Sequence, residues 1–286
     1  MMKAAQKLRS LIADPGILVS TTAHDALSAR IIERAGFELI FHTGYGSAAT
    51  RLGMPDLGLL TMTESVEAVS SIARSVRLPV IADADTGYGG LVNVERTVKE
   101  MERAGAAGMI IEDQQWPKRC GHMEGKEVIT VDEQIEKLHV AIESREDPDF
   151  VLVARTDSKA LYGLDDALTR IKLYEEAGAD MVFVDALETR TEMKAVPRAV
   201  RKPAMITFIP GGKTSRLTKA EAEELGYKMF VLALIPLYAA ASAMVETCDQ
   251  IFQGNPEGKG FPRLTFREFN SLIGIDAYQK LVKTQP

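Results

Sequence analysis

Short apolar runs alternate along this chain with longer stretches of helical periodicity. The runs at 17–20, 39–42, 79–82, 108–111, 150–154, 180–184, 204–208 and 228–232 are mostly continuous in apolar character. Strands buried on both faces read this way, as in parallel sheets, whereas half-exposed strands alternate. Between them, 63–75, 93–104, 132–144 and 164–177 repeat apolar residues at helical spacing. Three connecting segments close alike, on Arg34-Ala35-Gly36, Arg103-Ala104-Gly105 and Glu176-Ala177-Gly178. Glycine just past a helix takes the left-handed conformation that ends it. An apolar run then follows within about five residues, the short αβ loop of a βα repeat. Eight such repeats predict an α/β fold closed as a (β/α)8 TIM barrel; an open doubly wound sheet is the alternative.

The length of 286 residues suits that fold, which typically needs about 250. No linker, low-complexity segment or charge run divides the chain, so one barrel domain over 1–286 is expected. Within it, a Gly/Pro-rich stretch at 255–262 leads into a helical tail at about 262–286. Residues 1–14 carry an amphipathic helix pattern and lack the apolar core and cleavage site of a signal peptide. The most apolar run, 229–245, is shorter than the roughly 20 residues of a membrane span and is interrupted by Pro236. It reads as a buried strand followed by a helix, with no membrane partner.

Composition narrows the class further. A hydrophobic fraction of 46% and a charged fraction of 26% are those of a soluble globular protein. A net charge of -6 without any basic block argues against nucleic acid. The two cysteines, Cys120 and Cys248, cannot form a disulfide framework, which points to the cytoplasm.

In such barrels chemistry gathers at the C-terminal strand ends. The third run leads into Asp83-Ala84-Asp85, the fourth into Glu112-Asp113, the fifth into Arg155-Thr156-Asp157 and the sixth into Asp185. Residues two apart on a strand share a face, so Asp83 and Asp85 are expected to point together. Converging acids require a cation, and an all-oxygen set suits Mg2+, with Mn2+ as a substitute. Arg155 offers a planar fork for a carboxylate. Helix capping accounts as well for Asp157, Asp165 and Asp185, and Cys248 reads as a small core residue. Lys118-Arg119-Cys120-Gly121-His122 sets a thiol among cations, a sequence expected to favour thiolate and proton exchange near neutral pH. Gly87-Tyr88-Gly89-Gly90 fails the dinucleotide fingerprint, and Gly211-Gly212-Lys213-Thr214 lacks the leading glycine of a P-loop. The latter reads as a flexible loop.

Together Asp83-Ala84-Asp85-Thr86-Gly87-Tyr88-Gly89, Ile111-Glu112-Asp113-Gln114, Lys118-Arg119-Cys120-Gly121-His122 and Ala154-Arg155-Thr156-Asp157 resemble the isocitrate lyase/phosphoenolpyruvate mutase superfamily. The likeness runs over about 17–245. It is strongest to the branch of 2-methylisocitrate lyases, dimethylmalate lyases and the petal death protein, helped by Pro55-Asp56-Leu57-Gly58, Trp116-Pro117 and Met123-Glu124-Gly125-Lys126. The resemblance implies a Mg2+-dependent carbon–carbon lyase whose last helix is exchanged within a homodimer or homotetramer. It implies Asp85 as direct metal ligand, with Asp56, Asp83 and Glu112 holding the metal's waters. Thr43, Gly44, Tyr45 and Arg155 would bind the metal-chelating carboxylate of a di- or tricarboxylate substrate. Gly121 and His122 would hold the far carboxylate, on a loop that closes as a lid, and Cys120 would be the general acid. Asp185 and Thr207 line the substrate-distinguishing end. Departures are concentrated there: Phe41 stands where tyrosine is common, Asp185 for glutamate, Thr207 for asparagine and Pro210 for glutamate. Oxaloacetate hydrolysis or decarboxylation, and a phosphonomutase reaction, are the alternatives. The cysteine argues against the last.

Overall fold

A computed structural model describes residues 2–255 and 264–283. Eight parallel strands close into a barrel in sequence order, with the first bonded to the eighth. They are β1 (Leu18–Ala23), β2 (Ile40–His42), β3 (Val80–Asp83), β4 (Gly108–Glu112), β5 (Val151–Thr156), β6 (Met181–Val184), β7 (Ala204–Phe208) and β8 (Met229–Leu232). The predicted barrel is therefore the observed one.

The main departure is β1, which continues three residues beyond the apolar run. Polar residues can extend a buried strand when their hydroxyls are satisfied. Thr21 donates from Oγ1 to the Leu232 carbonyl at 2.7 Å. Thr22 Oγ1 accepts from Leu234 N–H at 2.9 Å. These two bonds sew β1 to the end of β8.

Helices α1 (Ala4–Ala13), α2 (Ala26–Arg34), α3 (Gly44–Ser47), α4 (Met62–Ser75), α5 (Leu91–Arg103) and α6 (Val131–Glu143) lie before β5. After it come α7 (Lys159–Tyr162), α8 (Leu164–Glu176), α9 (Arg190–Ala199), α10 (Lys219–Glu224) and α11 (Ile235–Phe252). Gly36, Gly105 and Gly178 follow α2, α5 and α8 at φ 92, 94 and 103°, as the repeated punctuation demands. Threonine caps recur: Thr61, Thr130, Thr189 and Thr218 each accept from the third helical N–H. Each such cap contributes about 1 kcal/mol.

Inside the barrel Ile81, Val151, Val153, Met181, Met205, Met229 and Val231 interdigitate. Leu8 of α1 joins this cluster and closes the N-terminal end. Arg9 secures α1 by bonding the Asp149 carbonyl and Asp180. The base is thus sealed, and the C-terminal strand ends form the open mouth. The run at 229–245 resolves into β8 and α11, as expected. Among the described residues no helix is long and apolar enough to cross a membrane. The stretch expected at 255–262 falls, beyond Asn255, outside the described residues. Of the tail, α12 (Phe266–Leu272) and α13 (Ile275–Lys283) are described, and Arg30 of α2 bonds the Ile273 carbonyl.

Candidate active site

The mouth holds a cavity of about 620 Å3 of empty space, part of it open to solvent. Thr43, Tyr45, Asp56, Asp83, Cys120, Gly121, His122, Arg155, Asp185 and Thr207 all line it. Gly44, Asp85 and Glu112 stand one layer behind. Gly44 N–H donates to Asp83 Oδ2 at 3.0 Å, while Asp85 and Glu112 reach the lining through Lys118 and Arg155.

Asp83 and Asp85 do point together, but not through strand pleating. The third strand ends at Asp83, and Asp85 sits beyond it at φ 48°. A left-handed residue reverses the local direction, and Asp85 N–H bonds Asp83 Oδ1 at 3.2 Å. Burial, with the charges of Asp83 and Asp56, pushes the Asp85 carboxyl up to about 7 against the pull of Lys118. Burial likewise drives Glu112 well above the carboxylate range. The cation among these acids is Lys118, to which sequence reasoning gave no role of its own. Its Nζ lies 2.7 and 2.9 Å from the two Asp56 oxygens and 2.7 Å from Asp85 Oδ1, with the side chain 3% exposed. The Asp85 contact lacks hydrogen-bond alignment, so Asp85 Oδ1 and Glu112 Oε1 remain buried without a hydrogen-bond partner.

The opposite wall is built on Arg155. Its Nε and Nη2 grip Asp157 at 2.8 and 3.1 Å, and Nη2 also reaches Asp185 at 3.0 Å. The guanidinium carbon stands 5.4 Å above the Phe183 ring. Asp157 takes a second cation, Lys126, at 3.1 Å. Against burial, these two cations hold Asp157 well below the usual carboxylate range. Capping thus does not explain Asp157, and Ser158 at the start of α7 makes no side-chain cap. Its place two residues past Arg155, just beyond the end of β5, was the available sequence signal. Asp113 is structural: it accepts from Thr156, Tyr174 and Arg170, tying the ends of β4 and β5 to α8.

Residues 114–126 cover the mouth. The Trp116-Pro117 peptide is cis. Gln114 binds the backbone of Arg119 at both its N–H and its carbonyl. Cys120 N–H bonds the Asp56 carbonyl at 3.2 Å. At Gly121 a Cβ would fall 1.6 Å from Asp185 Oδ2, so only glycine lets the loop approach that wall. Lys126 bonds the Gly121 carbonyl. His122 Nδ1 accepts from Lys213 N–H at 2.8 Å, which gives the Gly211-Gly212 loop a fixed position. Burial lowers the His122 pKa against the charge of Asp185, which lies 3.7 Å away.

The thiolate expectation is overturned. Burial pushes the Cys120 thiol up to about 11, and Asp56 and Asp185 add to the effect. The cation two positions before it, Lys118, is spent on Asp56 and Asp85. Cys248 departs too: it lies exposed on α11, not in a core.

Among the described residues no three Asp, Glu, His or Cys side chains converge closely enough to bind one ion directly. The donor chemistry nevertheless fits a hard divalent ion that keeps most of its waters. All the donors are oxygens, Glu112 Oε1 is buried without a hydrogen-bond partner, and an ammonium already sits among them. Mg2+ is commonly held through one or two carboxylates with several waters retained.

The phosphoenolpyruvate phosphomutase family profile matches residues 8–252. A 2,3-dimethylmalate lyase of Eubacterium barkeri is 41% identical, over 98% of this chain and 97% of its own. A 2-methylisocitrate lyase of Aeropyrum pernix is 39% identical, over 96% and 88%. The structure of oxaloacetate acetylhydrolase with 3,3-difluorooxalacetate superposes with a TM-score of 0.93 at 30% identity, covering 98% and 96%. That of phosphonopyruvate hydrolase with oxalate and Mg2+ gives 0.89 at 28%, covering 99% of both chains. The chain therefore belongs to the phosphoenolpyruvate mutase/isocitrate lyase superfamily.

Proposed function

We propose that the protein is a Mg2+-dependent carbon–carbon lyase. It cleaves a 2-hydroxy dicarboxylate of the alkylmalate type, or a 2-methylisocitrate-like tricarboxylate, into a 2-oxo acid and a carboxylate. The observation that carries this reading is a thiol kept protonated in the same cavity as Arg155 and the acid cluster. Asp85 would hold the ion, with Asp56, Asp83 and Glu112 on its waters, and Mn2+ would substitute. Bound there, the ion supplies Lewis-acid stabilisation of charge on the substrate oxygens.

The chain's own groups supply the rest. Arg155 has Nε and Nη2 committed to Asp157 and Asp185, which leaves Nη1 for the substrate carboxylate. Thr43, Gly44 and Tyr45 flank that carboxylate, and Gly121 and His122 take the far one. A base in the cavity, to which no residue is assigned, takes the hydroxyl proton, and the new C=O forms as the carbon–carbon bond breaks. The bonding pair then leaves on the carboxylate fragment. The Cys120 Sγ–H proton passes to that carbon, and the thiolate is left behind. A protonated, water-shielded thiol suits this role, because a thiolate would have no proton to give. The loop that carries Cys120 excludes competing water.

Phe183, Met205, Ile209, Val231 and Leu234 make the other wall apolar, with Thr207 its polar member. A third carboxylate there would be desolvated without a partner, which favours an alkyl branch over a tricarboxylate. Oxaloacetate hydrolysis is the second reading, favoured by the close superposition on oxaloacetate acetylhydrolase.

A homo-oligomer with an exchanged last helix is part of the proposal. Met244, Val245, Ile251 and Phe252 of α11 are 54–93% exposed. Beside them Leu27, Ile31, Phe37 and Leu237 line an apolar groove. A partner subunit would cover both.

A panel of 2-hydroxy and 2-oxo di- and tricarboxylates with Mg2+, read by 2-oxo acid release, tests the assignment. Alkylmalate turnover should be lost in Cys120→Ala while metal affinity is kept. Release of oxalate and acetate from oxaloacetate would favour the second reading. Full activity in Cys120→Ala would remove the thiol from the mechanism.

A further inference from the structure

We infer, on the lyase reading above, that the turn Ile209-Pro210-Gly211-Gly212 is a positioning device. It aims the Lys213 N–H at His122 and so fixes the Nε2–H tautomer, which donates to the far carboxylate of the substrate. Gly211, Gly212 and Lys213 line a second cavity that shares Tyr45, Cys120 and His122 with the mouth.

The local sequence builds this turn. Proline presets the second position of a type II turn, and the third position needs a positive φ, which glycine supplies. Pro210 and Gly211 stand at those positions, with Gly211 at φ 74°, and the Gly212 N–H bonds the Ile209 carbonyl at 2.9 Å. Both ends are anchored: Ile209 packs on the inner barrel cluster, and Thr214 is buried. Gly212 lets the turn come close, since a Cβ there would lie 2.6 Å from His122 Nδ1.

The Lys213 N–H then bonds His122 Nδ1 at 2.8 Å. A ring nitrogen that accepts carries no proton, so the neutral imidazole holds its proton on Nε2. That atom is buried with no hydrogen-bond partner in the protein, and Asp185 Oδ1, 3.7 Å away, is too far to accept. The Nε2–H is therefore a donor kept for an anionic acceptor in the cavity. The other tautomer would turn a lone pair toward the carboxylate. An imidazolium would lose the Lys213 bond, because both its nitrogens donate.

Nitrogen-15 NMR of the full chain, labelled on histidine, reads the tautomer directly. Four histidines give four ring patterns, and that of His122 is the one lost in His122→Gln. Above neutral pH, wild type should show a protonated Nε2 and a bare Nδ1. In Gly212→Ala the added methyl should break the Lys213 bond and mix the tautomers. It should also lower kcat/KM for the diacid that wild type cleaves best, roughly tenfold or more. Lys213→Met loses the ion pair to Glu124 but keeps the N–H, so it should retain the wild-type nitrogen pattern. The wild-type pattern needs no change in the turn, so a poorly folding Gly212→Ala leaves the test standing. A proton on Nδ1 in wild type overturns the inference while the lyase reading stands. So does an unchanged His122 pattern or unchanged kcat/KM in Gly212→Ala, or a mixed pattern in Lys213→Met. Absence of diacid cleavage by wild type overturns the lyase reading, and the donor role of His122 with it.

Discussion

Two walls of one cavity treat buried carboxylates in opposite ways. On the Arg155 side Asp157 meets a guanidinium fork and an ammonium, and its carboxyl is held far down. On the Lys118 side one ammonium serves Asp56 and Asp85, with Asp83 and Glu112 close by. There burial raises the Asp85 carboxyl to about 7 and raises Glu112, while Lys118 and Arg155 hold Asp83 down against burial. The difference separates carboxylates that belong to the frame from those whose charge is left partly unmet. A carboxylate whose charge is met twice is part of the frame. A cluster whose charge is undermet has capacity left for a ligand cation.

The strongest test of that contrast is Asp157→Asn. It leaves buried Lys126 without its carboxylate and Arg155 with Asp185 and Glu112 alone, and should cost about 3–5 kcal/mol in urea unfolding. Asp85→Asn removes a repelled charge, so metal-free stability should fall by less than about 1 kcal/mol, while Mn2+ binding is lost. Equal losses at the two positions would break the comparison. His42 sharpens it as a buried group whose neutral form is favoured by burial and by Arg51, against the pull of Asp83. Its Nε2 pairs with Ser47 at 2.8 Å, and burial lowers its pKa to about 4. A lowered base stabilises the fold above its unfolded value of 6.5, and that stability drains away as pH falls from there to about 4. His42→Gln should flatten this acid limb in pH-dependent unfolding. The smallest effect is kinetic: iodoacetamide near pH 8 should modify Cys120 only slowly, because its thiol is pushed up to about 11.

The barrel was legible because both its strand pattern and its helix punctuation are local. Continuous apolar runs and the glycines at 36, 105 and 178 mark βα units without reference to anything distant. The acids at the mouth were legible for the same reason, since strand ends are sequence positions. Cation allegiance was not. Lys118 looks toward Cys120 in sequence, yet its ammonium bonds Asp56, 62 positions away. Asp157 resembled a cap until Lys126, 31 positions back, appeared on it. The thiol was misread for that reason, because its ionisation depends on burial and on which charges face it. The His122 contact with Lys213 spans 91 positions and had no signal beyond the glycines beside it.

Trp116, the chain's one tryptophan, rides on the covering loop and is 43% exposed. Its indole lies 6.3 Å from the Tyr88 ring, which follows the third strand. Any swing of the loop changes that ring pair and the solvent around the indole. The enzyme thus carries its own optical gauge, and emission from a single native fluorophore would report any displacement of the loop in stopped-flow work with no label attached.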